Sequence, residues 1–314
     1  MKRILAWMLI AALLLSAVGC TSCVKMAVSQ MPEGDKKPVM WKATDADGHT
    51  LYLFGTIHVG DGRSDAVLEH IAPTLERCDA LAVEFDVVAY QKDLGAAAES
   101  MTRFMLTDGT TIEDYLPKEL YERSYALLKE AGLFPDLMKT YNLAMWAQLV
   151  ESAAIVRYSD LDTEHAMDMM LINRAYEKSI PVWEVESAAY QMEVLDSFDD
   201  ETYLTQIQTT LDSLELYGTS LEMMYRVWLS GDRDLFWKMI AAETDGSSPE
   251  ATALEDYNAR LINERNVNMA KKAEEYLLSG KTVFFAVGAA HMANEKGIVQ
   301  LLIDAGYTVE EISY

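Results

Sequence analysis

The chain has 314 residues, 50% of them apolar, and its 50 Asp and Glu against 26 Lys and Arg leave a formal charge of −24. That length is enough to bury a large core, as one big domain or as two halves around one site. Such acidity excludes a nucleic-acid surface, which needs clustered Lys and Arg against phosphate, and it excludes an electrostatic hold on anionic lipid.

The first residues read as a targeting segment rather than as part of the fold. Lys2-Arg3 precede an apolar run from Ile4 to Val18 that is too short to span a membrane comfortably. Small residues then lead to a cysteine in Leu15-Ser16-Ala17-Val18-Gly19-Cys20. This is similar to a bacterial lipoprotein box, with Ala17 where Leu is usual. It implies cleavage after Gly19, a lipid on Cys20, and an exported protein anchored at the cell surface or the periplasmic face, with ordinary secretion and an uncleaved anchor as the alternatives. Residues 1–19 are therefore expected to be a signal peptide, 20–37 a polar tether, and 38–314 a single domain. Cys20, Cys23 and Cys78 form no even disulfide framework.

Residues 39–44 read as a strand, and Asp45-Ala46-Asp47-Gly48 turns the chain into a second strand over 51–57. Ser64 is expected to cap a helix with Val67, Leu68, Ile71 and Leu75 on its buried face. Residues 79–86 read as a strand. Apolar spacing of the 3.6 type predicts helices over 116–131, 143–157 and 164–177. A short strand follows over 181–186, then two helical stretches over roughly 200–242. Gly246-Ser247-Ser248-Pro249 opens a helix that runs to Leu278. Strand 282–287, a helix from Asn294 to Ala305 and strand 307–312 close the chain. The fold class predicted is α/β: a central mixed sheet built from N- and C-terminal strand-helix units, with a large helical middle section.

One pattern occurs twice, near opposite ends. Gly55-Thr56-Ile57-His58 follows the apolar run from Leu51 to Phe54, and Gly288-Ala289-Ala290-His291 follows Val283 to Val287. Each is a buried strand, a glycine, and a histidine three residues on, in a chain with five histidines. In open α/β sheets, ligands sit beyond the carboxyl ends of the strands, so His58 and His291 are candidates to share one ion or substrate there. The glycines suit positive φ or a close approach to ligand. Glu84 closes the 79–86 strand as candidate ligand or general base, with Asp86 weaker. Glu186 closes the third strand as a catalytic candidate or as a group orienting an imidazole, with Gln191 five residues on and Glu184 in reserve. Arg265, followed by Asn266, is a candidate clamp for a substrate carboxylate or partner for a site glutamate. His49, His70 and His165 are assigned to the surface and the Met-rich stretch Met167-Asp168-Met169-Met170 to the core.

With these residues in place, the chain resembles the TraB/GumN family, related to the Tiki-type metalloproteases. The resemblance covers roughly residues 39–312. It is carried by Tyr52-Leu53-Phe54-Gly55-Thr56-Ile57-His58-Val59, Val83-Glu84-Phe85-Asp86, Val185-Glu186-Ser187 with Gln191, Arg265-Asn266, and Val287-Gly288-Ala289-Ala290-His291-Met292. Val185 stands where the family usually has Leu. The resemblance implies a fold shared with haem-binding ChaN-like lipoproteins and erythromycin-esterase-like enzymes, and a metal-dependent peptidase with the paired histidines at its site.

The expected chemistry is metal-assisted hydrolysis of an amide bond in a peptide or small-molecule substrate. His58, His291 and Glu84 or Glu186 would hold Mn, Co or Zn, the other glutamate would take a proton from water, and Arg265 would steady substrate or oxyanion. Two alternatives stand beside it: a non-catalytic lipoprotein binding haem or a metal chelate, and a metal-free His/Glu esterase-type enzyme.

Overall fold

The computed structural model describes residues 37–240, 259–292 and 295–314. The signal peptide, nearly all of the tether, Cys20, Cys23 and the Gly246–Pro249 helix start lie outside the described residues.

In chain order the elements are β1 (Met40–Thr44), β2 (Thr50–Thr56), α1 (Arg63–Leu75), β3 (Ala80–Val83), α2 (Val87–Tyr90), α3 (Leu94–Arg103), α4 (Lys118–Glu130), α5 (Leu143–Tyr158) and α6 (Met167–Glu177). Then come β4 (Val182–Glu184), α7 (Ala188–Leu195), α8 (Asp200–Asp212), α9 (Leu214–Ser230), α10 (Arg233–Ile240), α11 (Arg265–Leu278), β5 (Val283–Gly288), α12 (Ala289–Met292), α13 (Ile298–Asp304) and β6 (Thr308–Ile312). The fold is mixed α/β with a large helical middle. Its six-stranded sheet has the order β4-β3-β5-β2-β1-β6. The first four of these strands run parallel, and β1 runs antiparallel to both β2 and β6.

The inner parallel strands β2, β3 and β5 are apolar on both faces because helices cover both. Every residue of β5 is buried. Its side chains alternate: Phe284 and Ala286 join the core beneath the helical middle, while Val283, Phe285 and Val287 pack under Met269, Ala273 and Leu277 of α11 and Leu302 of α13. Fully burying an aromatic or large aliphatic side chain contributes about 1.5–3 kcal/mol, so Leu51, Leu53, Phe54, Phe284 and Phe285 anchor the sheet centre.

Local chemistry moves several boundaries. Ser64 does not cap α1. The N-cap is Gly62, two residues earlier, and Ser64 is fully buried with its Oγ 2.8 Å from the Tyr225 hydroxyl. His165 lies ahead of α6, in a turn where Asp162 Oδ1 accepts from its backbone N–H at 2.9 Å. Helices α2 and α3 are not expected from the sequence. They start where the Asp86 and Asp93 side chains accept the free N–H groups of Ala89 and of Gly95 and Ala96. The last long helix enters α11 through a π-helical turn, Ala259–Glu264.

Candidate active site

Register brings the two histidine turns together. In the parallel β2–β5 pair, Thr56 lies opposite Gly288, so His58 and His291 emerge from adjacent strands at one sheet edge. Val83 pairs with Ala286 on the other side of β5, which places Glu84 at the same edge. The β3–β4 ladder runs on past its strands, since Glu186 N donates to Glu84 O at 2.8 Å. Four strands thus deliver His58, His291, Glu84 and Glu186 to one place.

Both strand-end glycines are there for close approach, and neither is among the positive-φ glycines. A Cβ on Gly55 would lie 2.8 Å from Ala289 Cα. A Cβ on Gly288 would lie 3.2 Å from Glu84 Oε1, 3.5 Å from His291 Cδ2 and 3.7 Å from His58 Nε2. Gly288 therefore marks the point on which the three groups converge.

Arg265 is 3% exposed and lies between the two glutamates. Its Nη2 donates to Glu84 Oε2 at 2.8 Å and to Glu186 Oε2 at 2.7 Å, and its Nε donates to both Glu186 oxygens. The Leu261 carbonyl in the π-turn accepts from Nη1 at 3.0 Å, which holds the guanidinium level. Ser187 caps α7 and so directs Gln191, one turn on, to donate to Glu84 Oε2 at 2.7 Å and Glu186 Oε2 at 3.2 Å. Burial alone would raise the Glu84 pKa, but the guanidinium beside it holds the carboxyl well below the usual carboxylate range. Of the Arg265 alternatives, the structure has the glutamate partner rather than a free substrate clamp. Glu186 gives both its oxygens to that arginine and its Oε2 also accepts from Gln191, so it touches neither imidazole.

The two imidazoles differ. The His291 ring is buried, with Nδ1 2.7 Å from Asn266 Oδ1. Asn266 Nδ2 donates to Lys296 O at 2.9 Å, which fixes the amide so that Oδ1 accepts. His291 therefore carries its proton on Nδ1 and presents the Nε2 lone pair, 4.0 Å from Glu84 Oε1. Burial first, then Arg265, brings its pKa down to about 3, so the ring is neutral. For His58, burial works against the charged form but is outweighed by Asp168 and Glu84, and the pKa is pushed up to about 9. Its Nδ1 lies 3.4 Å from Asp168 Oδ2. Asp168 belongs to the Met-rich stretch assigned to the core, and no sequence signal set it apart.

The donor set suits a divalent cation in part. His291 Nε2 and Glu84 Oε1 stand 4.0 Å apart, wider than the roughly 3.3 Å between two ligands each about 2 Å from a tetrahedral centre, so the pair would have to draw in around an ion. His58 stands farther back. Among the described residues, the three-residue acid/His group drawn within 4.8 Å is Asp45, Asp47 and His49 at the β1–β2 turn. There Asp45 ties down the turn, holding His49 Nδ1 at 2.7 Å. Asp86 and Glu184 are not at the convergence point. Asp86 caps α2, and Glu184 Oε1 accepts from Asp86 N at 2.9 Å. Both line a neighbouring cleft of about 850 Å³, along with Asp93, Glu99, Arg103, Ser187 and Asp196.

The sequence model of the TraB/PrgY/gumN family matches residues 39–311. The chain belongs to this family. The match takes in five strands, all but the last residue of β6, and every site residue above, so the convergence on Gly288 lies within the family's domain. The chain is similar to the uncharacterized protein YbaP of Escherichia coli (strain K12), 25% identical over 266 residues, or 83% of this chain and 92% of that protein. It is equally similar to the uncharacterized protein YbaP of Shigella flexneri, 25% identical over 252 residues, or 80% of this chain and 87% of that protein. No solved structure matches.

Proposed function

We propose that this TraB/PrgY/gumN family member is a metal-dependent hydrolase that cleaves amide bonds in peptide-like substrates. The observation that carries the reading is the convergence of His58 Nε2, the His291 ring and Glu84 Oε1 around Gly288. His291 and Glu84 would hold the ion, with His58 as third ligand, and Mn, Co and Zn all suit such a His/carboxylate set. A bound divalent ion with an open position lowers the pKa of its water from 15.7 to roughly 7.

The chain's own groups set the stage for that chemistry. Arg265 and Gln191 fix Glu84 in one orientation, and Gly288 N–H donates to its Oε1 at 2.8 Å. Asn266 holds His291 in the tautomer whose Nε2 can bind. Glu186 neutralises Arg265 and does not touch substrate. The cleft beside α2 and α7, walled by carboxylates, gives an extended chain room to approach. On this reading the protein is exported and tethered to a membrane through a lipid on Cys20, which the Lys2-Arg3 start and the apolar run after it support.

The test is metal content by mass spectrometry after equilibration with Mn, Co and Zn, for wild type, His58→Ala and His291→Ala. One ion per chain, lost in both variants, is the expected result and opens a peptide-library search with that metal. No ion under any condition sinks the reading and makes haem titration the next step.

A second reading has its own observation. His58 is backed by the Asp168 carboxylate at 3.4 Å and His291 by the neutral Asn266 amide at 2.7 Å, an arrangement that would favour a charged ring beside a neutral one, an acid/base pair that needs no metal. It predicts hydrolysis that survives a chelator.

A further inference from the structure

We infer that Asp168 is a positioning residue of this site, holding His58 as Asn266 holds His291. The inference rests on the metal reading for its chemistry, and on geometry for its structure.

The loop that carries His58 is fastened to the segment that carries Asp168. Gly60 and Asp162 exchange two backbone hydrogen bonds of 2.8 Å, and Met167 N donates to Ile57 O at 3.0 Å. The first turn of α6 is thereby set against the residue before His58. Asp168, the second residue of that turn, then has its Oδ2 3.4 Å from His58 Nδ1. With Nδ1 facing a carboxylate, the other ring nitrogen, Nε2, faces Gly288 at 3.7 Å from where its Cβ would be. His291 follows the same plan through a different element: Nδ1 on Asn266 of α11, and the opposite ring edge toward Gly288. Each of the two repeated histidines thus has a side-chain oxygen from a helix behind its Nδ1, hydrogen-bonded at 2.7 Å for His291 and an ion-pair contact at 3.4 Å for His58, and the common point in front.

Asp168 carries a second mark. Its Oδ1 is buried without a hydrogen-bond partner among the described residues. A buried, unsatisfied carboxylate oxygen costs about 1–3 kcal/mol or more, so a site that retains one has a use for the charge. Asp168 lines a narrow pocket with Thr56, His58, Glu84 and Gln191, so the carboxylate borders the site. A carboxylate behind a ligating imidazole fixes the ring's orientation and raises its basicity, and removing such a partner typically costs 10–100-fold in metal affinity.

The experiment uses the full chain with 15N-labelled histidine, five residues in all, with His58 assigned through a His58→Gln variant. Zinc affinity and the ring 15N shifts of His58 are measured for wild type, Asp168→Ala and Asp168→Asn. The expected result is a 10–100-fold weaker zinc affinity in Asp168→Ala and a His58 ring whose Nδ1 proton is no longer held. In Asp168→Asn, whose amide oxygen can still accept, the loss is smaller. Equal zinc affinity and unchanged His58 shifts in Asp168→Ala overturn the inference. If wild type binds no zinc, the metal reading fails, and the His58 shifts of the metal-free protein decide the role of Asp168 by themselves. A thermal melt identifies a variant that has merely unfolded, and Asp168→Asn, which keeps the shape, then carries the test.

Discussion

Glu84 Oε1 lies 4.0 Å from His291 Nε2 and accepts from Gly288 N–H at 2.8 Å. A carboxylate from β3, an imidazole from α12 and the last amide of β5 thus meet at one glycine. The arrangement depends on that residue having no side chain.

Replacing Gly288 by Ala places a methyl group 3.2 Å from Glu84 Oε1 and 3.7 Å from His58 Nε2. Glu84 must give by a few tenths of an ångström, while the His58 contact is ordinary van der Waals distance. We expect metal affinity to fall by roughly tenfold or more, with a stability cost of about 1–3 kcal/mol. Titration with Mn, Co and Zn alongside urea unfolding separates the two effects. The Gly55→Ala methyl would meet the Ala289 backbone at 2.8 Å, and its cost should fall mainly on stability.

Arg265→Met should be among the most damaging single changes. It leaves Glu84 and Glu186 side by side in a buried site with no cation between them, and breaking a buried pair this way costs about 3–5 kcal/mol. Arg265→Lys can pair with one glutamate but cannot reproduce the three-nitrogen contact, so it should recover only part of the loss. Chemical denaturation of both variants checks the order. Equal stability of Arg265→Met and wild type would contradict the ion-pair account.

Glu151, on α5, gives a pH prediction away from the site. It is buried against the Tyr217 hydroxyl at 3.3 Å, and burial pushes its pKa from 4.5 up to about 8. Between those values the folded chain keeps a proton that the unfolded chain has lost. The contribution is therefore fully present below about pH 4.5 and is lost as pH rises through about 8. Glu151→Gln removes the dependence and should gain on wild type by on the order of a few kcal/mol at the alkaline end. Urea unfolding from pH 5 to 9 measures the difference, and parallel curves for the two proteins would refute it.

Asn266→Asp replaces the neutral acceptor behind His291 Nδ1 with a carboxylate. The ring, held at about 3, should then titrate at least about one unit higher. Asn266→Ala instead frees the tautomer. The histidine 15N shifts as a function of pH distinguish both outcomes from wild type.

The parts of the fold visible in the sequence were those with a strong period. The apolar runs of β2 and β5 announce strands buried on both faces, and the helices from Lys118 to Glu177 follow their 3.6 spacing to within a few residues. The paired histidines were legible because strand, glycine and histidine recur at fixed spacing. Asp168 was not, because what matters is the Gly60–Asp162 bridge that aligns it with His58, and no local pattern reports a contact made across more than a hundred residues. The use of the glycines was only half visible. Crowding by Ala289 and Glu84 exists only once β2, β3 and β5 are side by side. Helices α2 and α3 are set by their Asp caps, and the four residues of α2 are too few to show a 3.6 period.

The position of β5 has a consequence for how the molecule is made. It is the second-to-last strand in the chain, yet it lies between β2 and β3, which have no other link to each other in the sheet. Until residues 283–288 have been synthesised, the two early strands expose apolar edges with nothing to pair against. Such distant pairings close slowly, because a long loop must be ordered before any contact forms. A chain lacking its last thirty or so residues would therefore lose the middle of its sheet and not just a terminal appendage.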